Sequence, residues 1–473
     1  MKPIPAGALF AGCALSIMAG AVHAQTCPPS RLTHQSPSSF DNFGASVALR
    51  GDTLVVGAPQ DEVGANSRQG SVTVFRKGMG GWTQEAILTA GDGAAFDYFG
   101  ACVALAQSPS GAMTVMVGAR EWGGNNGKVY AFVRASGSTV WAQTDAFRNT
   151  NNTLNEFFGS SVAFVDDSTV VVGATGVRIG VNSNVGAAFV FTRTSTTGIW
   201  TQRAQLIASD GAADDYFGAT VVGLTDTVIV GAPNDDVSGR ADQGSAYVFT
   251  RDPGGTAWTQ QTRITSPEGA AGDRFGGASA SGSRFLAGGG GRAEVYIRTG
   301  ASWEREAVLQ SGDGTPLGPG RIDGDLLVVR DWVYPIPSPL PARVFARVPG
   351  TPTWTQQRAM NAPGATGSFA EALALSDGTL VAGSRSDHLP AVSWAGSVWV
   401  FDDIVTRCCD GIDFNQDTLF ADTGDIDDFL MVFSGGPCST GSCADIDFNN
   451  DGLMPDTMDI DAFLSVFSGG PCL

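Results

Sequence analysis

Short apolar runs separated by glycine-rich turns make up most of this chain, and they return in a fixed order. A unit opens at a Phe-Gly pair such as Phe43-Gly44 and continues to an apolar run that ends in Gly-Ala, as at Leu54 to Ala58. A further run ends in aromatic residues, as at Ser71 to Phe75, and the last one starts with tryptophan, as at Trp82 to Leu88. Runs of this length with alternating character predict strands, so the simplest count is four strands in each unit.

The number of units follows from two recurring markers. The tryptophan-led run occurs six times, at intervals of 45 to 59 residues, which is typical of blades or other repeat arrays. The runs are Trp82 to Leu88, Trp141 to Phe147, Trp200 to Leu206, Trp258 to Ile264, Trp303 to Leu309 and Trp354 to Met360. The recurrence of tryptophan at one structural position favours a packing role within or between units over a single ligand site.

Phe-Gly openings stand at Phe43, Phe99, Phe158, Phe217 and Phe275, and two weaker ones lie near Leu317-Gly318 and Phe369. They bring the count to seven units. The repeated glycine indicates a backbone that needs a positive φ or approaches a neighbour closely. Seven four-stranded sheets stacked radially predict an all-β, seven-bladed β-propeller.

The ends of the array predict how the ring closes. The seventh unit contains the runs Ala372 to Leu375, Thr379 to Gly383 and Ser397 to Phe401, but it has no tryptophan-led fourth strand. An unassigned segment, Arg31 to His34, precedes the first unit. We expect it to complete the seventh blade and thereby remove two exposed sheet edges.

Charge is distributed unevenly along the chain. The formal net charge is −19, and the C-terminal segment from Asp402 to Leu473 holds 15 Asp against one Arg. The rest of the chain is therefore close to neutral. Neither part has the basic surface that nucleic-acid binding requires, and no segment after the N-terminal stretch is apolar for long enough to span a bilayer.

The first 24 residues are typical of an export signal, with Lys2, an apolar stretch from Ile4 to Ala21, and Val22-His-Ala24 before Gln25. We therefore expect domains at 1–24 (signal peptide), 25–403 (propeller) and 404–473 (C-terminal domain), and a secreted or cell-surface protein. An alternative is lipoprotein processing at Cys13 within Phe10-Ala-Gly-Cys13.

No catalytic residue is predicted. After loss of the signal two histidines remain, His34 and His388, and neither lies in a nucleophile motif. The carboxylate pairs Asp166-Asp167, Asp214-Asp215 and Asp235-Asp236 have the composition of an acid/base pair, but adjacent acids mostly mark turns. Glu62 and Glu156 are no stronger candidates for a catalytic role. Cys102 stands where other units have Ser46, Ser161 and Thr220, which predicts a small packed residue and a free thiol.

Two copies of one acidic pattern with identical spacing occupy the C-terminal domain. Oxygen ligands at positions 1, 3 and 5 of a loop, a backbone carbonyl at position 7 and a carboxylate near the start of a helix are the chemistry of a Ca²⁺ site. The predicted ligands of two Ca²⁺ ions are Asp413, Asn415, Asp417, Leu419, Asp422 and Asp425 in the first copy and Asp447, Asn449, Asp451, Leu453, Asp456 and Asp459 in the second.

Two features depart from the usual twelve-residue calcium loop. Asp425 and Asp459 fall at position 13, so either they or Asp422 and Asp456 close the coordination sphere. Thr418 replaces the usual Gly at position 6 of the first loop, whereas Gly452 is present in the second. The second site is therefore expected to be the stronger one.

Paired half-EF-hand loops with flanking Cys and a terminal Ser-Gly-Gly-Pro-Cys resemble a GC-type dockerin over about Cys409 to Leu473. The resemblance implies a short helix after each loop and attachment to a cohesin-like or envelope scaffold protein. The helical faces would include Ile426, Phe429, Leu430 and Val432 in the first copy and Ile460, Phe463, Leu464 and Val466 in the second. Most of these apolar residues are expected to form the core of the domain.

The repeats resemble FG-GAP repeats, the units of the propeller of integrin α chains, through Phe43-Gly44 with Val56 to Pro59 and Phe217-Gly218 with Val230 to Pro233. In integrins the hairpin between the first two strands of some blades carries a calcium-binding acidic loop. The corresponding turns here, such as Arg50-Gly51-Asp52, are too short and too poor in carboxylates, so no propeller calcium is expected. This tripeptide also spells an integrin-ligand motif, and its register predicts an ordinary hairpin turn.

These features favour an exported, non-catalytic binding or structural propeller of unknown ligand with a calcium-dependent anchor. The alternative is a docked extracellular hydrolase acting on a polysaccharide or an ester. Its weakness is the absence of a recognisable catalytic motif.

Seven cysteines remain after signal removal, and the repeat symmetry of the C-terminal domain pairs Cys409 with Cys438 and Cys443 with Cys472. If the segment before the first unit lies antiparallel beside Ser397 to Phe401, Cys27 comes close to Cys408. We therefore predict a Cys27 to Cys408 disulfide. The alternative leaves Cys27 free and pairs Cys408 inside the C-terminal domain.

Overall fold

The computed structural model describes residues 29–78, 80–150, 154–255, 257–332, 340–367, 369–390, 392–402, 404, 423–434, 460 and 463. The chain divides into two compact units, and the larger one is Pro28–Ile404. The described residues after Ile404 belong to the second unit. None of the described helices is long and apolar enough to cross a membrane.

Pro28–Ile404 forms seven four-stranded antiparallel sheets, which is the predicted seven-bladed propeller. Each of the first six blades consists of four consecutive strands. Blades one to three are β2–β5 (Ser46–Arg50, Thr53–Ala58, Ser71–Gly78, Gly81–Leu88), β6–β9 (Phe99–Gln107, Met113–Ala119, Lys128–Arg134, Trp141–Phe147) and β10–β13 (Phe158–Asp166, Thr169–Ala174, Ala187–Thr192, Thr201–Leu206).

Blades four to six are β14–β17 (Thr220–Leu224, Thr227–Ala232, Ser245–Arg251, Trp258–Ile264), β18–β21 (Gly276–Ser281, Arg284–Gly289, Arg292–Thr299, Ser302–Val308) and β22–β25 (Leu317–Asp323, Leu326–Asp331, Ala342–Arg347, Trp354–Met360). A four-residue helix, α1 (Trp122–Asn125), lies between β7 and β8. The tryptophan-led segments form the fourth strands, as predicted.

Blade seven confirms the predicted closure. It consists of β26 (Ala372–Ser376), β27 (Thr379–Ser384), β28 (Ser397–Phe401) and the N-terminal strand β1 (Ser30–Leu32). Strand β1 pairs antiparallel with β28, with Arg31 opposite Trp399. The N-terminal strand therefore covers an edge of β28 that would otherwise be open.

The hydrophobic core lies between the blades. The second strand of each blade is buried along both faces; in β3, for example, all six residues are buried. One cluster joins Val55 and Val72 of blade one to Phe99 and Val115 of blade two. Such strands read as continuous apolar runs because a neighbouring blade covers each face.

The Phe-Gly openings form the joints between blades. Phe43, Phe99, Phe158 and Phe217 are fully buried. The glycine that follows each of them has φ near +90°, as at Gly218 (φ +93°), and a Cβ on Gly218 would lie 3.1 Å from the backbone nitrogen of Ala174 in the preceding blade. Both expected reasons for glycine, a positive φ and a close approach, are confirmed here.

The repeated tryptophans also contact neighbouring blades. Trp200 is buried against Phe147 of the preceding blade, with ring centroids 6.1 Å apart. Trp141 donates its indole N–H to Glu85 of blade one at 2.7 Å. The predicted packing role of the tryptophans is confirmed at these positions.

In the second unit, α2 (Thr423–Phe433) occupies the place where the first C-terminal helix is expected. Phe429 and Phe463, which hold equivalent positions in the two acidic copies, are buried, and their rings stack with centroids 4.3 Å apart. Leu430 is 45% exposed. The two phenylalanines thus contribute to packing rather than to an open apolar surface.

Candidate functional site

Most of the calcium-ligand positions predicted from the sequence lie outside the described residues. These are Asp413, Asn415, Asp417, Leu419, Asp422, Asp447, Asn449, Asp451, Leu453, Asp456 and Asp459. Asp425 lies in α2, near its start. The cysteines of the predicted disulfides, Cys27, Cys408, Cys409, Cys438, Cys443 and Cys472, also lie outside the described residues, so these pairings stay predictions.

A central channel runs along the ring axis, lined by the first strand of every blade. Two cavities, of about 480 Å³ and about 510 Å³, occupy it. Their walls are mainly small side chains such as Val103 and Val162, and Arg321 borders both cavities. Burial lowers the pKa of the Arg321 guanidinium, whose Nη1 donates to the Gly320 carbonyl at 3.0 Å.

Small hydroxyl and thiol groups around the channel are used in joining the blades. Ser46 and Ser161 each donate to a glycine carbonyl of the next blade at 2.8 Å, Ser46 to Gly100. Cys102 donates its Sγ–H to the Gly159 carbonyl at 3.0 Å in the same way. Burial raises the pKa of the Cys102 thiol to about 12, so it is mostly protonated at neutral pH. Cys102 is half-buried and free, which matches its predicted structural role.

Two acids of the adjacent carboxylate pairs, Asp235 and Asp166, contact partners that stabilise their charge. Asp235 accepts a hydrogen bond from the Tyr247 hydroxyl at 2.8 Å and forms an ion pair with Arg263 at 2.5 Å. Asp166 accepts hydrogen bonds from Ser168 and lies 3.2 Å from Arg251. These pairings favour a structural role for both acids.

Asp215 differs because few polar contacts replace the hydration that its carboxylate loses on burial. It is 4% exposed, and Oδ2 accepts one hydrogen bond from the Ala212 amide at 2.6 Å. Burial, reinforced by the charges of Asp235, Asp236 and Asp210, raises the pKa of Asp215 to about 6. The charged form therefore destabilises the folded state near neutral pH.

We predict that Asp215→Asn stabilises the propeller at neutral pH. An Asp with a raised folded-state pKa contributes stability that is present below about pH 4 and is lost as the pH rises through about 6. The advantage of the variant should thus grow by about 2 kcal/mol between pH 4 and pH 7. Urea unfolding at both pH values measures it, with the exposed neighbour variant Asp214→Asn as control. An advantage that is independent of pH would contradict this assignment.

One face of the ring carries a repeated interblade clamp built by the loops that precede the Phe-Gly pairs. In blade two the amides of Phe96, Tyr98 and Phe99 donate to the carbonyls of Ser67, Arg68 and Gln69 of blade one. The same three-bond pattern recurs before Phe43, Phe217 and Phe275. Positive φ values at alternating residues, such as Phe96 (+68°) and Tyr98 (+53°), turn these amides toward the preceding blade. These hydrogen bonds attach the backbone of each loop to the preceding blade.

The clamp residues hold exposed aromatic rings in three consecutive blades. Phe40 of the loop entering blade one is 54% exposed, Phe96 of the corresponding loop in blade two is 53% exposed, and Trp394 of blade seven is 45% exposed. The Phe40 amide donates to the carbonyl of Ser393, next to Trp394, at 3.0 Å. We call these three rings the aromatic edge. Exposed aromatic rings are typical of binding surfaces.

The two described histidines do not form a nucleophile pair. The His388 ring contacts the Trp394 ring, with centroids 5.7 Å apart. His34 lies beside the Ser36 carbonyl and the Asp61 carboxylate. The sequence predicted no acidic neighbours for His34, whereas the structure places Asp41 and Asp61 beside it. The Asp that recurs two residues before Phe-Gly, at Asp41, Asp97, Asp215 and Asp273, was the available signal.

Comparison with known proteins supports the repeat type. The FG-GAP repeat family matches residues 30–75, 82–132 and 200–249. The chain therefore contains FG-GAP repeats within a seven-bladed β-propeller. No curated protein matches the chain.

Three solved structures are similar at low sequence identity. A protein from Lactobacillus plantarum is 12% identical, with a TM-score of 0.46 over 67% of this chain and 84% of that chain. Saccharomyces cerevisiae Sqt1 is 12% identical, with a TM-score of 0.44 over 80% of this chain and 100% of that chain. An acylaminoacyl peptidase in complex with Z-Gly-Gly-Phe-chloromethyl ketone is 10% identical, with a TM-score of 0.45 over 75% of this chain and 50% of that chain.

Proposed function

We propose that this protein is an exported, non-catalytic binding module, held at a cell surface or extracellular scaffold by its C-terminal domain. In this proposal the propeller engages its ligand through the aromatic edge. The dockerin-like residues 404–473, loaded with two Ca²⁺ ions, dock into a cohesin-like or envelope scaffold protein. Disulfides between Cys409 and Cys438, between Cys443 and Cys472 and between Cys27 and Cys408 belong to the same proposal.

The aromatic edge is the observation that carries the binding role. The same loop position holds Asn155 in blade three and Asp214 in blade four, so the fold itself does not require a large ring there. Phe40 and Phe96 are exposed at positive φ, which is unfavourable for bulky residues. Exposed aromatic rings kept at such positions favour a surface that is used for contact.

The chemistry of the predicted ligands supports Ca²⁺ as the cation that the C-terminal domain binds. The predicted side-chain donors are carboxylate and amide oxygens, and a hard cation takes six to eight oxygen ligands. Neutralising clustered carboxylates would couple ion binding to ordering of the loops. Asp413, Asn415 and Asp417 would hold one ion, and Asp447, Asn449 and Asp451 the other.

We predict that the full chain binds two Ca²⁺ ions and that Asp447→Ala weakens binding more than Asp413→Ala. The reason is that the second loop retains Gly452 at the position of the sharp turn, whereas the first has Thr418. Calorimetric titration of the chelator-stripped chain measures both the number of ions and the order of the two variants. The propeller variant Asp167→Ala serves as control and should bind two ions. Absence of a calcium-dependent heat at millimolar ion would reject the anchor.

Attachment is tested by co-sedimentation of the full chain with cell-envelope fragments of its source. Sedimentation in Ca²⁺, release by EGTA, and loss in the double variant Asp413→Ala, Asp447→Ala are the expected results. Binding that is unaffected by EGTA would contradict a calcium-dependent anchor. Hydrolysis of a polysaccharide or an ester that His388→Ala abolishes would contradict the non-catalytic role.

A further inference from the structure

Three buried titratable side chains meet where the chain passes from blade seven into blade one. His34 follows β1, Asp41 precedes the first Phe-Gly pair, and Asp61 follows β3. Their exposed fractions are 8%, 2% and 7%. One potential ligand atom from each of the three lies within 4.8 Å of the other two. The cluster thus spans the joint at which the ring is closed.

The His34 ring presents an unused nitrogen to this cluster. Nδ1 lies 3.0 Å from the Ser36 carbonyl, which can only accept, so Nδ1 carries the proton of the neutral ring. Nε2 then keeps its lone pair. It is buried, has no hydrogen-bond partner, and lies 3.8 Å from Oδ2 of Asp61. A lone pair facing a carboxylate away from water is unfavourable unless a cation lies between them.

Asp235, the acid of blade four that corresponds to Asp61, has a cationic partner that blade one lacks. Asp235 stands three residues after the second strand of blade four, as Asp61 does in blade one, and strand register places Tyr247 and Arg263 on the adjoining strands. Both of these residues contact Asp235. In blade one the same two positions hold Thr73 and Ile87, which supply no positive charge.

Asp41 adds a second negative charge to this joint. The Asp41 side chain is buried, and its carboxylate belongs to the same cluster as that of Asp61. Two hydrogen bonds nevertheless hold Asp41 in place: the Ser38 amide donates to Asp41 Oδ2, and the Gln60 amide donates to the Asp41 carbonyl. The two carboxylates are therefore held close together by the fold.

We propose that His34 Nε2 and the carboxylates of Asp41 and Asp61 bind one divalent transition-metal ion that fastens the closing strand to blade one. A neutral imidazole with two carboxylates suits Zn²⁺, which binds nitrogen and oxygen at about 2.0 to 2.2 Å. The Ser36 carbonyl orients the ring through its second nitrogen, as is usual for metal-bound histidine. Ca²⁺ prefers sites made only of oxygen, so this site is distinct from the C-terminal pair.

The test is a Zn²⁺ titration of the full chain in saturating Ca²⁺, after transition metals have been stripped. The wild type should bind one Zn²⁺ at the joint and show a higher melting temperature with Zn²⁺ than without it. His34→Ala removes a direct ligand, so it should weaken this binding by at least the roughly 100-fold that loss of an outer-shell group can cause, and it should abolish the thermal shift. The variant should fold, because alanine already stands at the matching buried position, two residues after the fourth strand, in Ala90 and Ala208.

His388→Ala is the matched control, since it removes the other described histidine and should leave Zn²⁺ binding unchanged. Asp61→Asn, which keeps the size of the side chain, should weaken binding as His34→Ala does. The proposal is overturned if the wild type binds no Zn²⁺, or if either His34→Ala or Asp61→Asn binds it with unchanged affinity and thermal shift. The second outcome would locate the bound ion elsewhere in the chain.

Discussion

Gly186→Ala is expected to destabilise the propeller by more than about 4 kcal/mol or to prevent its folding. Gly186 precedes β12 and forms a parallel bridge with Phe217 of the next blade. A Cβ at this position would overlap the Phe217 carbonyl oxygen and lie 2.6 Å from the Phe217 amide nitrogen. These atoms belong to the backbone of a fully buried residue, so the two blades would have to separate.

Gly180→Ala in the same blade is the matched control. Gly180 also has a positive φ (+60°), but its added Cβ would meet nothing within 4 Å. Only the backbone strain of an alanine in the left-handed region remains, which costs about 1 to 2 kcal/mol. Guanidinium unfolding followed by tryptophan fluorescence compares the two variants. Equal destabilisation by both would show that the cost of Gly186→Ala comes from the strain of the positive φ and not from the contact between blades.

Arg31→Ala is expected to lower the free energy of unfolding by about 2 to 4 kcal/mol. The Arg31 guanidinium lies 2.6 Å from Oδ2 of Asp387, which is fully buried, and 5.2 Å from the centre of the Trp399 ring. Burial opposes ionisation of Asp387, but hydrogen bonds from Ser397 and Thr366 and the charge of Arg31 outweigh it and hold the pKa of Asp387 below its usual value. Without Arg31, the buried Asp387 carboxylate would lose the only cationic partner that it has among the described residues.

The exposed ion pair of Arg76 with Asp52 provides the control. It joins the same residue types at 2.7 Å, but both side chains are 40% or more exposed. Such a pair contributes at most about 1 kcal/mol. Glu85, which lies 3.8 Å from Arg76, keeps its closer pair with Arg134 at 2.9 Å, so Arg76→Ala should have little effect. Differential scanning calorimetry of the two variants in Ca²⁺ measures the difference. Melting temperatures that fall equally would mean that closure by β1 does not depend on this buried pair.

The blade count, the strand order and the ring closure were all predictable from the sequence. Each depends on a signal carried by neighbouring residues: alternating apolar positions, a glycine beside Phe43 or Phe217, and a tryptophan at the start of the fourth strand. The Arg50-Gly51-Asp52 tripeptide likewise forms the predicted turn, since Arg50 pairs with Thr53 across a hairpin. Repetition strengthens such local signals, because the same pattern specifies each blade anew.

Contacts between blades were predictable only in part. The alignment of Cys102 with Ser46 and Ser161 was visible in the sequence, but their shared bond to the next blade's glycine carbonyl was not. The aromatic edge was missed for a related reason. Phe40 and Phe96 read as ordinary apolar residues beside Phe-Gly, and only the clamp geometry places them at the surface.

The sequence by itself determined that this protein is a closed ring of seven four-stranded blades, because strand formation and glycine geometry follow from local backbone and side-chain preferences. The tertiary structure alone decided which buried charges meet. Arg31 and Asp387 are 356 residues apart in the chain, and His34 reaches Asp61 only because β1 completes the last blade beside the first. Electrostatic pairing depends on distances of a few ångströms across the joint, and no periodicity along the chain encodes those distances.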